Sequence, residues 1–275
     1  MALELGIISS AWGESDMSLE EGMRKTKEIG FDCYDIFDDA LDIDDATREM
    51  IKSVAEEIGL PIRSTVCVNF GLVDFNPAVQ RFALDRTRAA ISQAAGFGAR
   101  NVLLVIGEYY WDGEVFPNEA IWDIAVDNLK TLGVDAEAAD VDLVIELEPF
   151  TQALVKDAHE LARFIREVGH PRVKANADIS HLHLAGSSFA DVAELNGMIG
   201  HMHVSDCDGK VHGDLPPGRG VTPIKEYMEA CVDAGFDEGT VSIELEYSPD
   251  PDNIVEWVEE AYRETAAIMA EMGVR

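Results

Sequence analysis

Basic residues are scarce in this chain. It has 21 lysines and arginines against 53 aspartates and glutamates, which gives a formal net charge of −32. A protein that binds nucleic acid needs basic surface to displace the counterions of the phosphate backbone. The acidic residues are spread along predicted helices rather than gathered in a tail, so they indicate a folded acidic surface. The composition therefore argues against a nucleic acid or an anionic membrane as a partner.

Two explanations account for so acidic a surface: an ordinary acidic enzyme, or a protein adapted to a cytoplasm rich in salt. High ionic strength screens the self-repulsion that would otherwise destabilise a compact acidic fold. Lysine is scarcer than arginine in the sequence, which favours the second explanation. We expect a halophilic protein.

Cysteines and long apolar runs are also few. The cysteines are widely spaced and form no CxxC pair, which argues against a disulfide framework or a structural zinc site. No stretch approaches the ~18 uncharged apolar residues that a membrane helix needs. The N-terminal segment carries acid where a signal peptide would carry basic residues. These absences predict a cytoplasmic protein with reduced thiols at the four cysteines, Cys33, Cys67, Cys207 and Cys231.

Short apolar runs alternate with longer amphipathic stretches along the whole chain. No GxGxxG motif follows the first run, so an open dinucleotide-binding sheet lacks support. Eight strand-then-helix units in ~250 residues are typical of a closed parallel barrel. We therefore predict an α/β protein that forms a (β/α)8 TIM barrel as a single domain over residues 1–275. The predicted strands are Leu3–Ile8, Cys33–Phe37, Ile62–Val68, Val102–Ile106, Val141–Leu147, Val173–Ala177, His201–Val204 and Val241–Leu245.

The last four predicted strands each end in a carboxylate or an imidazole, at Glu146, Asp178, His203 and Glu244. Sites in this type of barrel lie at the C-terminal ends of the strands. A charge at the end of a buried strand is costly unless it is paired or bound to a metal. A set of oxygen and nitrogen ligands without thiolate suits Mn²⁺, Mg²⁺ or Co²⁺ better than structural Zn²⁺. The alternative is four unrelated residues, each in a local salt bridge.

Two of these positions are ambiguous, because side chains alternate along a strand with a period of two. Glu146 shares a strand face with Glu148, and Glu244 shares one with Glu246. We prefer the first of each pair, since each directly ends its apolar run. The other two glutamates would then contact substrate hydroxyls or support the ligands.

Between Glu146 and Glu246 the chain resembles the xylose-isomerase-like TIM barrel superfamily, the sugar phosphate isomerase/epimerase family. That superfamily includes ketose 3-epimerases, hydroxypyruvate and inosose isomerases, inosose dehydratases and apurinic endonucleases. The strand rhythm extends the similarity to the whole chain. The matching elements are the strand-five glutamate, Asp178-x-x-His181, His203-Val204-Ser205-Asp206, Pro216-Pro217-Gly218-Arg219-Gly220 and Glu244.

The resemblance implies that Glu146, Asp178, His203 and Glu244 bind one divalent metal ion. It also implies that Glu146 and Glu244 form an acid/base pair that moves a proton on the carbon next to a carbonyl. The metal would polarise that carbonyl and stabilise the enediolate. The expected function is a metal-dependent sugar isomerase or ketose epimerase. A keto-cyclitol or keto-acid dehydratase on the same scaffold is the alternative, because it begins with the same proton abstraction.

Two other functions fit the sequence less well. An apurinic endonuclease needs extra histidines after strands three and four, and the segments 66–69 and 105–108 contain none. A non-catalytic sugar-binding barrel would tolerate an incomplete metal shell, whereas all four ligand positions are filled here.

The remaining candidates are substrate contacts. His181 would point at a substrate oxygen or act as a structural hydrogen-bonding residue. Arg219, framed by glycines, would clamp a substrate oxygen or form a salt bridge with a helix. The expected partner is a small sugar, with an unphosphorylated one favoured, and a homo-oligomer is possible. His212 and Asp214 would gate the site or add a contact to it. The aromatic residues that would wall the sugar or pack the barrel top are Trp12, Phe37, Tyr109, Tyr110 and Trp111.

Overall fold

The first strand, Ala2–Ile8, pairs in parallel with both the second strand and the eighth, and this double pairing closes the sheet into a barrel. The structure is a computed structural model that describes residues 2–13, 15–107, 116–246, 248 and 250–275. Strands follow one another around the barrel in the order of the sequence. The predicted (β/α)8 barrel is therefore confirmed, and its extent as one domain over residues 1–275 stays a prediction.

Helices and strands alternate along the described residues. The strands are β1 (Ala2–Ile8), β2 (Cys33–Ile36), β3 (Ile62–Val68), β4 (Asn101–Val105), β5 (Asp142–Glu146), β6 (Val173–Asp178), β7 (Ile199–Val204) and β8 (Glu238–Ile243). The helices are α1 (Leu19–Ile29), α2 (Asp45–Ile58), α3 (Pro77–Phe97), α4 (Asn118–Ala139), α5 (Ala158–Val168), α6 (Ile179–Leu184), α7 (Phe189–Val192), α8 (Ile224–Asp233) and α9 (Ile254–Met272). None of the described helices is long and apolar enough to cross a membrane.

Local chemistry explains where the helices begin and end. Helix α1 starts with a capping box, in which Ser18 accepts from the Glu21 amide and the Glu21 carboxylate accepts from the Ser18 amide. It ends at Gly30, whose φ of 119° is a left-handed conformation that glycine adopts without steric cost. Helix α5 likewise begins at Asp157, which caps the Glu160 amide, and ends at Gly169. Each glycine turns the chain back toward the next strand.

Most strand bounds differ from the sequence-based prediction by one or two residues, and two differences are larger. Strand β8 runs from Glu238 to Ile243 rather than over residues 241–245, because its pairing with β1 begins at Glu238 and ends at Ile243. Helix α6 was not predicted, since six residues give too little periodicity to identify a helix. Both differences matter for the site, because Glu244 now lies just after a strand and Asp178 now begins a helix.

Buried side chains on the barrel strands include two small groups. One is an apolar cluster from β1, β3, β4 and β5, formed by Ile8, Val66, Leu103, Val105 and Val144. The other consists of fully buried polar residues from β2, β6, β7 and β8. We call it the polar group of the barrel, and its members are Asp35, Asn176, His201 and Ser242.

Candidate metal and active site

Four side chains from adjacent strands meet at the carboxyl end of the barrel. Glu146, Asp178, His203 and Glu244 each place one potential ligand atom within 4.8 Å of the corresponding atoms of the other three. All four residues are buried, with exposed fractions between 0% and 7%. The structure thus brings together the four residues that the sequence predicts as a metal site.

The imidazole of His203 lies between the two glutamates. Its Nδ1 atom is 3.3 Å from Oε1 of Glu146 and 3.2 Å from Oε2 of Glu244. Asn176 on β6 donates through Nδ2 to the same Oε1 of Glu146 at 2.6 Å. The backbone amide of Glu244 donates to the Val204 carbonyl at 3.1 Å, which continues the pairing of β8 with β7 beyond the end of the strand. Both glutamates are therefore held on rigid strand ends.

Asp178 has two tasks, one for each carboxylate oxygen. Its Oδ1 caps α6 by accepting from the His181 amide at 2.6 Å, and it also accepts from Ser180 Oγ at 2.9 Å. Its Oδ2 is buried and has no hydrogen-bond partner in the part of the chain that the structure describes. One oxygen is therefore used by the fold, and the other is left for the cluster.

The electrostatics of the cluster reflect buried charges in close contact. Burial raises the pKa of Glu244 well above its usual value, although His203 opposes that rise. Burial disfavours charge on His203, but Glu244 and Glu146 outweigh it and raise the pKa of the imidazole. Burial also acts to raise the pKa of Asp178, but His181 and His203 lower it below its usual value. A divalent cation bound here would favour the ionised carboxylates and the neutral imidazole, because these are the forms that ligate a metal.

The donor set fits a divalent metal ion. It offers three carboxylates and one imidazole without a thiolate, which suits Mn²⁺, Mg²⁺ or Co²⁺. Among the described residues, the buried Oδ2 of Asp178 has no hydrogen-bond partner, and a bound cation would satisfy its lone pairs. The residues that would hold the ion are Glu146, Asp178, His203 and Glu244.

A second, overlapping group contains Glu146, Glu148 and His181, again with potential ligand atoms within 4.8 Å of one another. His181 Nδ1 is 2.9 Å from the Leu147 carbonyl, which can only accept, so Nδ1 is the donor. Nε2 of His181 is buried without a hydrogen-bond partner among the described residues. Burial disfavours a positive charge on the His181 ring, but the carboxylates of Asp178, Glu148 and Glu146 outweigh this effect and raise the pKa of His181. His181 thus has one free ring nitrogen at the site.

The loop after β7 is organised by one carboxylate. Asp206 is 2% exposed and accepts from four backbone amides at 2.8–3.0 Å. A Cβ atom at Gly220 would lie only 2.1 Å from the Cys207 carbonyl oxygen, so this position requires glycine. The loop therefore explains two residues of the segments that resemble the family, Asp206 and Gly220. The four amides belong to Cys207, Gly218, Gly220 and Thr222.

This loop carries His212 and Asp214 to the site. The His212 ring packs against that of His181, with 4.6 Å between centroids, and its Nε2 lies 3.3 Å from Asp214 Oδ1. Asp214 accepts from Ser205 Oγ at 3.1 Å. Burial and the neighbouring His181 lower the pKa of His212 to about 4, whereas burial and Asp178 raise the pKa of Asp214. The predicted gate residues thus form a wall next to His181.

A cavity of about 340 Å³ opens beside Glu246 at the ends of β1 and β2. Trp12 and Phe37, which the sequence predicts as walls for a sugar, both line it, and so do Ser10 and Asp38. No basic side chain is among its described lining residues. Burial raises the pKa of Glu246. The predicted wall residues Tyr109, Tyr110 and Trp111 lie outside the described residues.

Arg219 is the exception among the predicted site residues. Its guanidinium donates to both carboxylate oxygens of Glu260 on α9, at 3.0 and 2.6 Å. It also lies over the ring of Trp257, with 4.4 Å from Cζ to the centroid. The structure therefore shows the salt bridge with a helix rather than a substrate clamp, because Glu260 already binds one edge of the guanidinium and Trp257 covers one of its faces.

Sequence reasoning missed two residues of the site region. Asn176 supports Glu146, and Asp35 on β2 forms an ion pair with His201 on β7, with 3.1 Å between Oδ2 and Nε2. The available signal for Asp35 was a lone charge inside the apolar run 33–37. The contact with Asp35 explains how His201 can lie fully buried.

The comparison with known families decides the classification. The family model described as the xylose isomerase-like TIM barrel matches residues 23–272. The chain belongs to this family. The match confirms the resemblance that the residues at the strand ends of this xylose isomerase-like barrel indicated.

Similar proteins are epimerases or share the fold. Fructoselysine 3-epimerase of Shigella flexneri is 26% identical to this xylose isomerase-like barrel over 246 residues, which cover 85% of this chain and 87% of the relative. The solved D-psicose 3-epimerase with D-tagatose from Clostridium cellulolyticum H10 is 21% identical with a TM-score of 0.78, covering 98% of this chain and 97% of that one. The IOLI protein with a zinc atom is 17% identical with a TM-score of 0.82, covering 98% and 99%. The last two similarities concern the fold alone.

Proposed function

We propose that the protein is a divalent-metal-dependent sugar epimerase that inverts the carbon next to the carbonyl of a small ketose. The observation that carries the proposal is the cluster of Glu146, Asp178, His203 and Glu244. Its two glutamates come from β5 and β8, the strands that flank the two strands carrying Asp178 and His203. Two carboxylates that approach one centre from different sides suit an inversion that needs a base on each face. The similar fructoselysine 3-epimerase supports the same class of reaction, because epimerases are isomerases.

The chemistry follows from the roles of these side chains. A divalent ion held by the four residues would polarise the substrate carbonyl and stabilise negative charge on its oxygen. One glutamate takes the proton from the carbon next to the carbonyl and leaves an enediolate. The other glutamate returns a proton to the opposite face of that carbon, which inverts it. Burial raises the pKa of the Glu244 carboxyl, and a higher pKa favours its acceptance of a proton.

The surroundings favour a free sugar over a sugar phosphate. Carboxylates dominate the site, and the described lining of the adjoining cavity has no basic side chain to pair with a phosphate. In this proposal Glu148, Glu246 and the free Nε2 of His181 contact substrate oxygens. Trp12 and Phe37 pack against the apolar face of the sugar.

Turnover in D₂O tests this function. Purified enzyme is supplied with divalent ions, including Zn²⁺, and with a panel of free ketoses and the corresponding phosphates, and products are followed by NMR. We expect one deuterium at the inverted carbon and faster turnover of the free sugars. Loss of water from the product would indicate the dehydratase instead. Inversion without incorporation of deuterium would contradict a mechanism in which the returned proton comes from a glutamate that exchanges with solvent.

The acidic surface leads to a separate prediction about salt. With a net charge of −32, screening should relieve self-repulsion in the folded state. We expect the thermal midpoint to rise from low to molar KCl, by about 2–4 °C for each kcal/mol gained in a domain of this size. Calorimetry across a KCl series measures this shift. A flat or falling midpoint would show that the protein is not adapted to a salt-rich cytoplasm.

A further inference from the structure

Two members of the polar group of the barrel form a buried ion pair next to the predicted metal ligand His203. Asp35 and His201 come from strands β2 and β7 and meet across the barrel, with 3.1 Å between Oδ2 and Nε2. Both residues have no exposed surface. An oxygen of Asp35 and a nitrogen of each of His201 and His203 all lie within 4.8 Å of one another. The pair is therefore a direct neighbour of the metal cluster.

Irregularities in the sheet accompany both partners. The register between β2 and β3 shifts between Tyr34 and Asp35. The register between β6 and β7 shifts immediately before the pairing of Asn176 with His201. Such irregularities re-aim side chains and are frequent beside active sites. The backbone is thus modified at the two places that bring Asp35 and His201 together.

His203 has a nitrogen that the metal cluster does not use. Its Nδ1 faces Glu146 and Glu244, so Nδ1 is the atom available to a metal ion. The hydrogen of the neutral ring must then reside on Nε2. Nε2 is buried and lacks a hydrogen-bond partner within the described chain, and the same holds for Oδ1 of Asp35. A donor and an acceptor are therefore both unsatisfied in the same region.

We propose that Asp35, held in place by His201, is a positioning residue for His203. It accepts the Nε2–H of His203, directly or through one buried water, and so fixes the tautomer in which Nδ1 faces the ion. Metal-binding imidazoles generally donate their second ring N–H to a carboxylate, a carbonyl or a water. This inference rests on the proposed metal site and adds to it a residue outside the four ligands.

Metal affinity tests the proposal independently of activity. The full chain is stripped with a chelator and dialysed, and Mn²⁺ binding is measured by titration calorimetry for the parent, Asp35→Ala and Asp35→Asn. Ser64→Ala is the matched control, because Ser64 is a fully buried residue on β3 that donates to Asn101 at 2.5 Å. Thermal midpoints of the metal-free proteins and the visible spectra of their Co²⁺ forms are recorded in parallel.

We expect Asp35→Ala to weaken Mn²⁺ binding by about 10–100-fold, as is typical when such a supporting partner is lost. Asp35→Asn should weaken it less, since its amide oxygen still accepts from Nε2, and should shift the Co²⁺ spectrum. Ser64→Ala should bind metal like the parent. The proposal is overturned if Asp35→Ala keeps the parental affinity, or if Ser64→Ala loses as much. Should Asp35→Ala not fold, an Asp35→Asn protein with parental affinity and spectrum would overturn it.

Divalent-ion binding by the parent chain distinguishes a failure of the proposed function from a failure of the role of Asp35. A parent chain that binds no divalent ion would refute the proposed function. A parent that binds the ion, with Asp35 variants that bind it equally well, would refute only the role of Asp35.

Discussion

Glu244→Gln is expected to keep its divalent ion and to lose about 10²–10⁴-fold in kcat, the usual cost of removing a general base. Glutamine has nearly the same shape and still offers an oxygen to the cluster, but its amide cannot exchange a proton with carbon. Glu146→Gln should behave in the same way, because both carboxylates lie within 3.3 Å of His203 Nδ1. Steady-state kinetics and elemental analysis of the same preparations measure the two effects.

The neighbouring glutamates supply the matched controls. Glu148→Gln and Glu246→Gln should mainly raise KM, if these side chains contact substrate hydroxyls equally in the ground and transition states. A loss of kcat in Glu148→Gln with kcat unaffected in Glu146→Gln would exchange the roles of these two residues. Near-normal kcat in all four variants would rule out proton transfer by these carboxylates.

Loss of the metal together with activity is the expected result for His203→Ala and Asp178→Ala. Each substitution removes the whole ligand side chain, whereas glutamine at Glu146 or Glu244 keeps an oxygen in the cluster. Asp178→Ala also removes the cap of α6 and should cost about 1 kcal/mol in the free energy of unfolding.

Elemental analysis of protein purified without chelator measures this effect. His159→Ala is the control, because His159 is 67% exposed and pairs with Glu194 on the surface. It should retain both metal and turnover. Full metal occupancy in both site variants would disprove the four-residue site.

Much of the fold and of the site was predictable because both depend on local patterns. Apolar runs alternating with amphipathic stretches specify strands and helices, and in a parallel barrel every strand ends at the same rim. A polar residue that directly ends such a run is therefore placed near the others without any knowledge of tertiary contacts. This reasoning identified Glu146, Asp178, His203 and Glu244, which the structure brings together.

The contacts that the sequence did not predict join residues far apart in the chain. Asp35 and His201 are 166 positions apart and meet only because the barrel closes and two registers shift. Arg219 was assigned to substrate because glycines frame it, but Glu260 on a later helix binds its guanidinium. No pattern within a few residues of either position reports such a partner. Local periodicity thus predicts where a strand ends, but not which side chains pair across the barrel.

The carboxylate of Asp206 has a consequence for the thermodynamics of binding. Its four amide contacts fix the loop that carries His212 and Asp214 before any substrate arrives. A wall that is already ordered does not lose conformational entropy when the ligand binds. The binding free energy that a flexible loop would consume in becoming ordered is then available for affinity and for aligning the substrate, under the proposed function, with the two glutamates. A small substrate has few atoms with which to gain affinity, so a preorganised wall benefits it more than it would a large one.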